Sequence, residues 1–484
     1  MTAQNHKLPS FDFVKEPKLL FHPDRMEDAD PHPLVGLVNF GPYSRGMPLS
    51  APDPIRAAII CPEEYFDAVA ALFAEFHRHH RPRERVKYLP DFSGFSTIFG
   101  VGFNGPSSAK DDRVVLLTKA ELALALESAE PHAKLAELSH SAIRRLNSVR
   151  NRFDVVFIYL PGTLAQAFQS PPSDEKTEFD LHHSIKALCS SLQMPVQVLN
   201  DDALTYFCRC SVMWRLSIAV YAKSGGIPWK LAGFSERHAY VGLSYCIRKH
   251  SPRRFVTCCS QIFDARGTNL QFLLYESEDA SHEGDNPFLP RQEMRRVMAR
   301  TLSLYQHQKG VPPTRLVVHK TTPFTPEEID GCTDALSTVD DLELLTLTQE
   351  TSWQGIKIEA PRNERRPQKG VAAAYPLERG TVLPLSPFDY LLWTQGNCSE
   401  VTKGGGYFKE GKGIPHPLCI SRALGAGSFF ESAREIVALT KMNWNNDYLY
   451  DKLPVTNKYA SILADVVKRM GHLSSDPYDF RYFM

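Results

Sequence analysis

The chain has 484 residues, with 55 Lys plus Arg against 55 Asp plus Glu and 43% hydrophobic residues. These values exclude global disorder and an overall basic nucleic-acid binder, so any basic groove must be local and balanced by acidic surface elsewhere. The polar first 13 residues lack a secretion-signal core, no apolar run approaches the ~20 residues of a membrane span, and the ten cysteines never take zinc-site spacing, so a cytoplasmic protein with reduced thiols is expected.

Residues 1–55 are Pro-rich and read as a loop-like segment with short apolar stretches. From there, apolar runs predict strands at 57–61, 114–117, 155–160 and 196–199, with helices at 62–80, 131–149, 179–192 and 214–223. Val155-Val-Phe-Ile-Tyr-Leu160 is a continuous apolar run ended by Pro-Gly, the pattern of a central parallel strand. Strands alternating with helices give a Rossmann-like α/β domain over 56–225. The remainder, 226–484, changes character. Three strand-like runs at 239–249, 254–264 and 270–276 form a meander. A helix at 291–309, a strand at 315–319, a helix at 326–336 and a strand at 342–348 follow. Further strands are expected at 381–385, 390–394 and 418–422, then helices at 428–439 and 458–470. That order is the order of a ribonuclease-H-like domain.

Four residues of the first domain have an arrangement suited to one chemistry. His182 and Lys186 lie one helical turn apart, so they share a helix face. Gln197 falls on the next strand, and Lys223 ends a helix just before Ser224-Gly-Gly-Ile-Pro-Trp-Lys-Leu231. Two lysines, an imidazole and an amide match the charge and acceptor oxygens of a terminal phosphate. Singly, each has a plainer reading: a solvated helix face, a turn amide, a lysine complementing a helix C-terminus. Tyr221 and Trp229 read as core.

The series His182-x-x-x-Lys186, Gln197 and Lys223 before Gly-Gly-x-Pro-Trp resembles the guide 5′-phosphate pocket of Argonaute MID domains. Other segments resemble landmarks of the short prokaryotic Argonautes in the same order: Glu16-Pro-Lys-Leu-Leu-Phe21, Gly36-Leu-Val-Asn-Phe-Gly-Pro42, Asp91-Phe-Ser-Gly-Phe95, Tyr240-Val-Gly-Leu-Ser244, Arg315-Leu-Val-Val-His-Lys320, Ala438-Leu-Thr-Lys-Met-Asn-Trp444 and Leu453-Pro-Val-Thr-Asn-Lys-Tyr-Ala460. The resemblance implies a Rossmann-like MID domain followed by a ribonuclease-H-like PIWI domain. It also implies a 5′-phosphorylated guide RNA, a single-stranded DNA target, and a separate APAZ-containing effector subunit of TIR, sirtuin-like or nuclease type acting in prokaryotic immunity. In several such proteins the C-terminal carboxylate, here that of Met484, shares a Mg²⁺ ion with the guide phosphates.

The family's catalytic carboxylates are replaced at the corresponding positions by Ser244 and Thr321, and near the closing position by Asn457. Hydroxyls and amides hold two divalent ions too weakly for cleavage, so no enzymatic activity is expected. Asp264, Glu276 and Asp451 take none of the family's positions. Lys403, Lys409 and Lys412 in a glycine-rich loop, and Arg362, Arg365, Arg366 and Lys369 in a Pro-flanked stretch, are candidate phosphate or partner contacts, or solvated surface. Two further readings stay open: an active PIWI endonuclease with displaced carboxylates, and a stand-alone guide-directed binding protein without an effector.

Overall fold

The computed structural model describes residues 10–48, 50–170, 179–247, 255–263, 269–277, 281–283, 286–359, 370–402, 406–408, 413–470 and 477–484. Strand Ile55–Pro62 is the middle of a parallel sheet, with Val114–Leu117 on one side and Val155–Tyr159 then Val196–Leu199 on the other. Its apolar runs are continuous because both faces are covered. Ala57, Ile59, Val155 and Phe157 enter one core, while Ala58, Ile60, Val156 and Ile158 enter another.

The second half is built on a ten-stranded sheet. His238–Ile247, Phe255–Phe263 and Asn269–Ser277 form the antiparallel meander, and Arg315–Lys320 and Asp341–Thr348 add in parallel beside His238–Ile247. Leu418–Leu424, Asp389–Leu392 and Thr381–Pro384 continue it antiparallel. Helices Arg291–Lys309 and Pro326–Ala335 cover one face, with Val455–Val467 against the other. Alternation along His238–Ile247 divides its side chains accordingly: Ala239, Val241 and Leu243 face the first pair, Tyr240 and Cys246 the second core. That second core also holds Ala57, Ile59, Val155 and Phe157 of the parallel sheet, so the two halves share one apolar interior.

Two departures from the sequence expectation have local causes. The helix expected over 62–80 is a 3-10 turn at Glu63–Tyr65 followed by Phe66–Glu75. It stops because the carbonyl of Phe76 accepts the Phe95 N–H at 2.7 Å, and His80 pairs with Phe92. The N-terminal segment is more ordered than a loop. It contains the helix Pro33–Phe40, whose N-cap is His32: Nδ1 accepts from Leu34 and Val35 N–H, and Nε2 donates to the Tyr88 carbonyl at 2.7 Å. Burial lowers the His32 pKa to about 4, which keeps the imidazole neutral as capping requires. Glu16 fixes the same segment to the second half, accepting from Arg379 at 2.9 Å and Lys441 at 2.7 Å with all three side chains buried. No helix among the described residues is long and apolar enough to cross a membrane.

Candidate nucleic-acid interface

The helix Leu181–Ser191 starts at Asp180, whose side chain accepts the His183 N–H at 2.8 Å as N-cap. It packs between the parallel sheet and the chain's last residues. The helix Arg209–Lys223, almost wholly buried, packs in the other core and meets the strand Val196–Leu199. Between these helices and the end of Val196–Leu199 opens a cavity of about 650 Å³, whose wall includes His182, Gln197, Asn200, Asp202, Tyr206 and Arg215.

Two of the four expected residues, His182 and Gln197, line this cavity; the other two stand behind them. Lys186 is buried, donating from Nζ to the Phe483 carbonyl at 3.1 Å. Lys223 is buried as well, donating to Oε1 of Gln197 at 2.6 Å. Neither ammonium has a carboxylate in salt-bridge range among the described residues. Burial lowers the Lys186 pKa to about 8. It also holds that of Lys223 well below 10.5, with the neighbouring Lys186 charge adding to the effect. His182 opens onto the cavity, yet the protein around it, and then Lys186, holds its pKa well below 6.5. Desolvation is the largest cause of all three shifts; Asp180 opposes it at Lys186 and His182, and no anion opposes it at Lys223.

Asp180, His182 and His183 bring ligand atoms within 4.8 Å of one another. The carboxylate is already committed to the cap, and the helix N-terminus and Lys186 supply positive potential, so this corner suits an anion better than a cation. Phe483 and Met484 are buried beside the Leu181–Ser191 helix. Arg215 was not anticipated. It is half-exposed on the cavity wall, 3.6 Å from the fully buried Asp447. A single charge inside the apolar run Cys210-Ser-Val-Met-Trp-Arg-Leu216 was the available signal.

The expected degenerate positions also converge. Parallel pairing ends with Leu243 opposite Lys320; Ser244 follows within His238–Ile247, and Thr321 lies just past the end of Arg315–Lys320. By alternation Ser244 belongs to the face of Tyr240 and Cys246, and His319 to the same face through Val317; the His319 Nδ1 lies 2.9 Å from the Thr456 hydroxyl on the Val455–Val467 helix. Asn457 is the next residue and is buried. The buried carboxylate of Glu328 is on the opposite face, in an ion pair with Lys320 at 2.6 Å. Asp451 is held by Lys458 at 2.8 Å and by Asn443 at 2.7 Å. Glu276 sits on Asn269–Ser277, beyond Phe255–Phe263 in the meander. Asp264, both basic clusters and most of the 170–178 loop lie outside the described residues.

No family model matches the sequence, and no curated protein matches it. Solved structures do. Clostridium butyricum Argonaute bound to a guide DNA (5′ deoxycytidine) and a 19-mer target DNA superposes with a TM-score of 0.64 at 14% identity, over 95% of this chain and 53% of that one. Drosophila Piwi gives 0.62 at 12% identity, over 98% and 56%. Aquifex aeolicus Argonaute gives 0.58 at 15% identity, over 98% and 56%. The fold is that of the Argonaute proteins. This chain spans little more than half the length of those structures, and its parallel sheet and ten-stranded sheet take the MID and PIWI folds.

Proposed function

We propose that this chain holds a guide strand by its 5′-phosphate in the MID-like cavity and presents it to a complementary target without cutting. One observation carries the reading: two buried ammonium groups, Lys186 and Lys223, meet only neutral acceptors, the Phe483 carbonyl and Gln197. A buried charge without a counter-charge is costly, and an incoming dianionic phosphate offsets that cost with charge-assisted hydrogen bonds. His182 and Gln197 supply further donors at the wall, and Arg215 stands within the same cavity. The Clostridium butyricum Argonaute holds guide and target DNA; here the family resemblance favours a guide RNA and a single-stranded DNA target.

The PIWI-like half acts as a surface for the guide–target duplex. At the positions where a nuclease needs several anionic ligands it offers Ser244, Thr321 and Asn457. Any enzymatic activity then belongs to an APAZ-containing effector subunit, switched on by target capture in prokaryotic immunity. A Mg²⁺ ion at the guide 5′ end fits only together with the guide. Beside Lys186 the protein offers amines and the buried Met484, so a carboxylate at Met484 would need guide phosphate oxygens to complete an oxygen ligand set.

The test is a titration with a ~20-nucleotide RNA bearing either 5′-phosphate or 5′-hydroxyl, with and without Mg²⁺. Tighter binding of the phosphorylated strand, strengthened by Mg²⁺, is the expected result. Equal affinities would remove the guide pocket and leave the fold alone.

A further inference from the structure

A second cavity, of about 530 Å³, lies in the PIWI-like half, where Gln395, Tyr407, Phe408 and His416 face the stretch 448–452. Its wall is unusually aromatic, and each of three rings is fixed from behind. Tyr407 stacks on Tyr88 with centroids 4.8 Å apart and planes 17° from parallel. The Arg379 guanidinium lies over Tyr450 at 4.3 Å, and the Tyr450 hydroxyl donates to the Gly396 carbonyl at 2.8 Å. The Arg85 guanidinium lies over Tyr448 at 5.9 Å. His416 is oriented too, with Nδ1 donating to the Trp353 carbonyl at 3.1 Å and Nε2 accepting from Gln354 at 3.2 Å. Rings held in this way lose little freedom when a flat ligand stacks on them.

We infer that this cavity binds a nucleobase, stacked against Tyr407, Phe408 and Tyr448 with Gln395 and Lys452 at hand for its polar edge. Aromatic platforms accept any base, because every base has a π-face. The cavity also adjoins the MID-like site through a single loop. Asp447 receives Arg85 and stands 3.6 Å from Arg215 on the first cavity's wall, and the next residue, Tyr448, enters the second cavity. A strand anchored in the first cavity is therefore the favoured source of the base, and this part of the inference rests on the proposed function. A free nucleotide is the other source of the same chemistry.

The experiment uses the full chain with RNA and DNA strands carrying 5-iodopyrimidine at successive positions, irradiated and mapped by peptide. Cross-links to Tyr407, Phe408 or Tyr448 from a restricted set of positions are expected. Tyr448→Ala, at an exposed position, should weaken strand binding about tenfold while leaving the ratio of 5′-phosphate to 5′-hydroxyl affinity unchanged. A parallel titration with AMP and adenosine identifies a free nucleotide as the ligand if binding is seen and is lost in Tyr448→Ala. The inference is overturned if no position cross-links to these residues and neither AMP nor adenosine binds. Loss of phosphate preference in the unaltered chain overturns only the first site, since the cross-linking map reads the second cavity directly.

Discussion

Both halves of the molecule bury cations, but they do so in opposite ways. In the PIWI-like half Lys320 is fully paired with Glu328, Arg315 with Glu343 and Glu435, and Arg422 with Glu343. Around the MID-like cavity Lys186 and Lys223 have hydrogen bonds to neutral oxygens and, among the described residues, no carboxylate within ion-pair distance, Asp180 acting on Lys186 only from further away. The first arrangement is complete within the chain and serves the scaffold. The second, on the function proposed above, is completed by an anion from outside. A buried charge marks a ligand site when its counter-charge is missing from the protein, not merely because it is buried.

The largest effect expected from this contrast follows Lys186→Met with Lys223→Met. Two charge-assisted contacts of ~1.5–3 kcal/mol each would go, so preference for a 5′-phosphate should fall at least ~100-fold in a competition titration. Breaking a compensated pair should do the reverse. Glu328→Gln leaves the Lys320 ammonium buried without its partner and should lower stability by about 3 kcal/mol in denaturant unfolding, with phosphate preference intact.

A smaller effect is expected from pH. Lys186 titrates near 8 in the folded chain, below the 10.5 of an exposed lysine. In the free protein the burial penalty is thus present below pH 8 and is relieved as pH rises through 8 towards 10.5. Phosphate binding needs the ammonium and has the opposite sign. Preference for the 5′-phosphate should decline several-fold between pH 7 and 9, and Lys186→Met should remove the part of that decline due to this residue. The smallest expected effect is none: Asp placed at Ser244 and Thr321 should produce no cleavage of a paired target with Mg²⁺ or Mn²⁺, because two carboxylates do not complete a two-metal ligand set. Cleavage by that variant would show that the site lacks fewer ligands than the account requires.

Much of the fold was legible because its signals are local. The helix Arg291–Lys309 matches the sequence expectation to the residue, opened after Pro290 and closed by Gly310 at φ 74°. The continuous run at 155–159 announced a strand buried on both faces. The helix Pro33–Phe40 was not legible, since its cap is a histidine whose neutrality depends on burial under Tyr88, 56 residues away. Helical spacing placed His182 and Lys186 on one side of a helix. It could not say that Lys186 would reach the Phe483 carbonyl, 297 residues on, or that His182 and Gln197 would form the wall with both lysines behind it.

The most direct test of the uncompensated pair compares thermal unfolding of the unaltered chain and the Lys186→Met, Lys223→Met variant, each alone and with 5′-phosphorylated or 5′-hydroxyl RNA. The variant alone should melt at or above the unaltered chain, since two buried charges are gone, and gain nothing extra from the phosphate. The unaltered chain should gain several degrees from the phosphorylated strand over the hydroxyl one. A variant that melts lower and still distinguishes the two strands would contradict the account, placing the lysines in the scaffold and the phosphate elsewhere.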